Sequence, residues 1–123
     1  MKLLLDTHIL LWWLTQDRKL SQTEITIITD PDNLIFVSAA TAWEIAVKKM
    51  IGKLSAPDDL PAALAANDFL KLPISIEHTQ KLYQLPLHHH DPFDRMLVAQ
   101  AMSEDLTLMT RDKKIALYDI KII

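Results

Sequence analysis

The chain has 123 residues, half of them hydrophobic, with 13 basic against 16 acidic side chains for a formal charge of -3; such a composition describes a soluble globular domain that buries roughly two-thirds of its unfolded surface without covalent staples. The absence of cysteine excludes a disulfide scaffold, a thiolate zinc site, an iron–sulfur cluster and a cysteine nucleophile, and fits a reducing cytoplasm. The lone glycine, Gly52, excludes the Gly-rich loops of dinucleotide and Walker-type nucleotide sites, and the acidic balance speaks against nucleic-acid binding through a basic surface alone.

Residues 1–5 carry one lysine and an apolar run that stops at Asp6, too brief for a signal peptide or a membrane span. Leu3-Leu4-Leu5, residues 34–37 and residues 106–109 are unbroken apolar runs of the kind that form strands buried on both faces of a parallel sheet. Residues 72–75 and 117–122 are weaker strand candidates. Helices are expected at 7–14, at 21–29 with Ser21 and Glu24 at capping-box spacing, and at 39–50 with Ser38 as cap and Gly52 just past the end. Further helices are expected at 58–66, closed by Asn67, and at 77–84. The last runs from Asp91-Pro92 to about Glu104, with proline at the favoured first helical position. Alternation of strands and helices predicts a three-layer α/β domain spanning residues 1–123.

In open parallel sheets the ligand site lies beyond the carboxyl ends of the strands. The residues that follow the apolar runs here are Asp6, Ser38, and the pair Thr110 and Asp112. Two helical acids are placed to join them. Glu44 borders the stripe Trp43, Ala46, Val47, Met50, whose spacing predicts a core face, and Asp94 shares a face with Leu97, Val98 and Ala101. Asp6, Glu44, Asp94 and Asp112 therefore form a candidate acidic pocket for Mg²⁺ or Mn²⁺, hard cations that take oxygen ligands and assist phosphodiester displacement.

Each acid also has an ordinary reading. Asp6 and Asp91 stand where helix caps are wanted, and for Asp91 the cap is the preferred role. Glu44 lies four residues before Lys48, a helical ion-pair spacing; Asp94 suits the dipole of its helix; Asp112 fits a turn between Arg111 and Lys113. Only their joint placement speaks for a site. His88-His89-His90 are expected to point different ways, in structural or substrate-contact roles rather than as a zinc cluster, since no H-E-x-x-H pattern accompanies them. Trp12, Trp13 and Trp43 are expected to bury area in a core or dimer interface rather than stack on bases. Ser38, Ser75 and Ser103 lack the setting of a serine hydrolase.

With these residues in place the chain resembles the PIN-domain nucleases, in particular the VapC-like toxins of bacterial toxin–antitoxin pairs. The resemblance runs over essentially the whole chain and is carried by Leu3 through His8, by Ser38 with Trp43-Glu44-Ile45, by His89-His90-Asp91-Pro92-Phe93-Asp94-Arg95 running into Leu97-Val98-Ala99-Gln100-Ala101, and by Leu108-Met109-Thr110-Arg111-Asp112. Residue by residue, the family's four acids fall on Asp6, Glu44, Asp94 and Asp112, with Ser38, Thr110, Asp91 and Arg95 as supporting residues. The resemblance implies a twisted parallel sheet of about five strands in order 3-2-1-4-5, a Mg²⁺- or Mn²⁺-dependent endoribonuclease, a cognate antitoxin and a homodimer.

Other classes fit less well. A phosphoacceptor receiver domain needs paired acids after its first strand and an aspartate after its third, where this chain has a single Asp6 and Ser75. A dehalogenase-type phosphatase wants an aspartate where His8 stands. A catalytically silent partner of an antitoxin would share the fold without turnover.

Overall fold

The computed structural model describes residues 1–123. Strand β1 (Lys2–Leu5) leads through Asp6 into α1 (Thr7–Leu14), which is followed by α2 (Gln22–Thr29) and β2 (Leu34–Ser38). Helices α3 (Ala39–Met50) and α4 (Leu60–Ala66), strand β3 (Leu70–Leu72) and helices α5 (Ile76–Gln84) and α6 (Pro92–Glu104) come next. Strand β4 (Thr107–Met109) and a 3₁₀ turn at Ile115–Leu117 complete the order.

The strands form one parallel sheet in the order β3-β2-β1-β4. Central β1 sets the register: Leu3 lies opposite Ile35 on one side and Thr107 on the other, and Leu4 opposite Phe36 and Leu108. Because side chains alternate along a strand, Leu3 and Leu5 point to one face and Leu4 to the other. All three are fully buried, and each such leucine contributes about 2–3 kcal/mol of transfer free energy. Leu3 and Leu5 pack with Ile9, Leu10, Ile28, Ile45 and Leu64 from α1 to α4. Leu4 packs with Leu97, Val98 and Ala101 of α6 and with Ile115 and Tyr118. Helices on both faces of a parallel sheet make the expected three layers.

Local chemistry explains the boundaries. Ser21 and Glu24 close a capping box at the start of α2. Asp6, Ser38 and Asp91 cap α1, α3 and α6 through their side-chain oxygens. Helix α3 runs into Gly52, whose φ of +73° is the left-handed conformation that glycine adopts without steric cost.

Three expectations are corrected. The third strand occupies 70–72 rather than 72–75, because Pro73 has no amide to donate and Ser75 caps α5 instead. A fifth strand at 117–122 does not form: the 3₁₀ turn consumes its start, and only Ile122 bridges to Leu108, in parallel. The sheet therefore has four strands, with the tail held beside β4 by the amides of Leu108 and Ile123. Finally, the stripe Trp43, Ala46, Val47, Met50 is not the core face of α3. Trp43 is 59% and Met50 79% exposed, while Ala40, Thr41, Glu44 and Ile45 are buried. Trp43 instead meets Phe93 edge-on at 4.9 Å. The face that turns inward carries Ala40, Thr41, Glu44 and Ile45, and the Glu44 carboxylate on it is hydrogen-bonded by Thr7 and Lys48.

Candidate metal centre

The carboxyl ends of β1 and β4 lie side by side, since the Asp6 amide donates to the Met109 carbonyl at 3.1 Å. This brings Asp6, Thr110 and Asp112 to one edge of the sheet. Asp6 is 5% exposed and held at both oxygens. Its Oδ1 accepts the Ile9 amide at 2.8 Å, and its Oδ2 accepts the Thr110 hydroxyl at 2.5 Å. Burial pushes its carboxyl above the usual range, against the pull of those two hydrogen bonds. Thr110 also accepts the Asp112 amide at 3.0 Å, so one hydroxyl spaces two acids.

Glu44, 3% exposed, faces the same edge from the second turn of α3. The Thr7 hydroxyl donates to its Oε1 at 2.7 Å and the Lys48 ammonium to its Oε2 at 2.5 Å. The helical ion pair read from the spacing thus exists, but its carboxylate is buried. Lys48 is held above its usual range mainly by the Glu44 hydrogen bond, with Asp91 and Asp94 adding to it.

Asp94 sits in the first turn of α6, whose start Asp91 caps by accepting the amides of Phe93 and Asp94. Its carboxyl is pushed up to about 7, chiefly by desolvation and then by the negative charges of Asp91, Glu44 and Asp6, which outweigh relief from His89. These mutual effects place all four predicted acids in one neighbourhood, with Asp91 as a fifth charge.

His89 is the residue that the sequence reading did not assign to the pocket. Its ring is buried with Nε2 3.1 Å from Asp94 Oδ2 and 3.0 Å from Asp112 Oδ2. The Asp91 amide donates to Nδ1 at 3.1 Å, which leaves the ring proton on Nε2 to be shared between the two carboxylates. Desolvation lifts Asp112, but the His89 hydrogen bond and the amides of Lys114 and Ile115 prevail and hold it below the carboxylate range. Nothing in the run His88-His89-His90 singles it out in sequence; the fold alone buries its ring. His88 and His90 are exposed, and His88 packs edge-on against Tyr118 at 5.0 Å, so the three histidines do point different ways.

The remaining predicted residues support from a distance. Ser38 caps α3 and donates to Gln100 Oε1 at 2.5 Å, tying α3 to α6. The Arg95 guanidinium donates to the Pro86 and His89 carbonyls and to the Tyr118 hydroxyl, and so clamps the loop that carries His89.

Asp6, His8, Ile9, Trp12, Arg111 and Asp112 line a cavity of about 240 Å³. A larger cleft of about 500 Å³ shares Trp12 as a wall but contains none of the converging acids. No helix is long and apolar enough to cross a membrane.

A family model for the PIN domain matches residues 3–121. No curated protein sequence matches significantly. Among solved structures, the chain is similar to one in VapBC2 from Rickettsia felis bound to a promoter DNA fragment, at 16% identity over 100% of this chain and 98% of the other, with a TM-score of 0.73. A toxin–antitoxin complex from Klebsiella pneumoniae gives 23% identity over 98% and 94% of the two chains and a TM-score of 0.66. VapBC-5 from Mycobacterium tuberculosis gives 23% over 99% and 97%, with 0.60. At these identities the likeness establishes the fold.

Proposed function

The chain belongs to the PIN domain family, and on that premise we propose that residues 1–123 form a single divalent-metal-dependent endoribonuclease domain that acts as the toxin of a toxin–antitoxin pair. The reading includes a cognate antitoxin, supported by the toxin–antitoxin complexes that its structural neighbours come from, together with a homodimer, which rests on the resemblance alone, and a cytoplasmic location, which rests on the cysteine-free composition.

One observation carries the chemistry: Asp6, Glu44, Asp94 and Asp112 converge on a single edge, where desolvation and then the charges of Asp91, Glu44 and Asp6 push Asp94 up to about 7. Lys48 pairs with Glu44, while Arg111 is committed to Glu24. A carboxylate-rich pocket, with the single ring nitrogen of His89 beside Asp94 and Asp112, fits Mg²⁺ or Mn²⁺. Asp6 and Asp94 would hold the principal ion, with Glu44 and Asp112 acting through water or on a second ion. When bound, the cation would neutralise phosphate charge and acidify water at the site.

The chain's own groups supply orientation. Asp6 is fixed by Ile9 and Thr110, Glu44 by Thr7 and Lys48, and both Asp94 and Asp112 by His89. Each carboxylate oxygen used in this way retains a second lone pair for a ligand. The pocket is thus built before the substrate arrives, which lowers the reorganisation cost of the reaction.

The test is cleavage of a mixed RNA pool by purified protein with Mg²⁺, Mn²⁺ or EDTA, beside Asp94→Asn. Discrete metal-dependent cuts that vanish in the variant are expected. Equal cleavage by the variant would reject the site, and a folded wild-type protein inert toward every RNA in the pool would favour a binding-only role.

A further inference from the structure

The cavity beside the acids has a second wall that the nuclease reading leaves unused. His8 and Trp12 stand one helical turn apart on α1, with ring centres 6.2 Å apart and planes tilted by 52°. Trp12 packs partly against the core and partly lines the cavity, so burial alone does not exhaust its role. The Arg111 guanidinium lies over the indole, with Cζ 4.9 Å from the ring centre.

Arg111 is not free to bind phosphate as a mobile cation. Its Nε donates to Glu24 Oε2 at 3.1 Å, and its Nη2 donates to Glu24 Oε1 and to the Lys19 carbonyl. Glu24 neutralises the charge and fixes the plane against Trp12. His8 tilted against Trp12 and Arg111 held over it thus bring three flat groups to the same small cavity as Asp6 and Asp112. Flat rings next to a phosphodiester-cleaving pocket meet one component of a nucleic acid: the base carried by the nucleotide next to the scissile phosphate. Both aromatic rings and arginine planes serve as stacking surfaces for unpaired bases.

We propose that the cavity formed by His8, Trp12 and Arg111 is a base-stacking subsite that receives the unpaired nucleobase flanking the cleaved bond of single-stranded or looped RNA. This rests on the nuclease reading and deepens it. Stacking tolerates any base but requires that the base leave its helix, so the subsite selects for local single-strandedness rather than for a sequence. Trp12 then links core and substrate: one part of its ring packs on the core and another lines the subsite.

The test uses an oligoribonucleotide containing a cut site mapped for the wild-type protein, together with versions made abasic on either side of the cut. Removing the stacked base is expected to raise KM roughly 10- to 100-fold on one side only. The same removal should cost His8→Ala and Trp12→Leu much less, because their platform is already damaged. Should Trp12→Leu fail to fold, His8→Ala, whose side chain is exposed, carries the comparison. Independently, 2-aminopurine at that position should lose fluorescence when the RNA binds Asp94→Asn. Abasic penalties equal in wild type and variants, or 2-aminopurine unchanged on binding, would overturn the subsite while leaving the nuclease intact; the latter result would also fit a cavity that serves a protein partner. Absence of any cleavage by the wild type would remove both readings.

Discussion

The amide of Asp91 donates to Nδ1 of His89 at 3.1 Å, and this contact sets what the other side of the ring does. With Nδ1 occupied as an acceptor, Nε2 must donate, and its targets are Asp94 and Asp112. A helix-capping residue thereby fixes the tautomer of a histidine that holds two acids together. His89→Ala should fold but lose the clasp, weakening Mg²⁺ affinity and turnover roughly 10- to 100-fold, the usual cost of removing a partner of a metal ligand. His89→Gln, which can offer an N–H from a similar position, should recover part of the loss. Isothermal titration with Mg²⁺ and cleavage kinetics check both; unchanged affinity in His89→Ala would show that the clasp is ornamental.

Asp94→Asn should separate stability from activity. In the metal-free protein an ionised Asp94 is held among other acids, so a neutral isostere relieves repulsion. At pH 8 without metal the variant is expected to melt a few degrees above wild type, on the order of 1 kcal/mol more stable, while metal-dependent cleavage disappears. A lower melting temperature in the variant would mean that the acids are better compensated than their surroundings indicate.

The same carboxyl predicts a pH dependence with a definite sign. The native chain holds the Asp94 proton up to about pH 7, whereas the unfolded chain releases it near its ordinary value of 3.8. Between those limits unfolding releases a proton, so this group's contribution makes the metal-free protein less stable as pH rises toward 7, with the loss complete above it. Metal binding needs the ionised form and opposes the trend. The rise in Tm on adding Mg²⁺ should therefore be larger at pH 8 than at pH 6, as differential scanning fluorimetry would read directly.

Thr110→Val removes the donor to Asp6 and the acceptor of the Asp112 amide while preserving volume. A buried carboxylate and a part-buried amide each lose a partner, so a cost of about 1–3 kcal/mol is expected from urea melts. Thr110→Ser should restore most of it. A valine variant as stable as wild type would show that water replaces the hydroxyl without penalty.

Much of this architecture was readable because the decisive signals are local. Asp6, Ser38 and Asp91 each combine a capping side chain with an adjoining apolar pattern, and α1, α3 and α6 begin where those residues place them. Strand ends in a parallel sheet place Asp6 and Asp112, and helical spacing places Glu44 and Asp94, at the same edge. What failed depended on the fold as a whole. Apolar spacing on α3 names Trp43 and Met50 as core, but which of two stripes turns inward depends on what the rest of the molecule presents, here the Thr7 hydroxyl for Glu44. The tail was read as a strand from its composition, although the turn at Ile115–Leu117 leaves only a bridge at Ile122. His89 was hidden among its neighbours, since nothing in three consecutive histidines marks the one whose ring is buried.

The Thr110 to Asp6 hydrogen bond joins groups 104 positions apart. Bringing together groups so distant along the chain carries a loop-closure cost before any contact rewards it, and such contacts form late in folding. On the ribosome, a nascent chain that already displays Asp6 and Glu44 still lacks Asp94, β4 and Asp112. Its acidic pocket is assembled only after β4 has been made and docked beside β1. The order of synthesis thus gives the chain an intrinsic delay, because the last acid of the pocket is also among the last residues made.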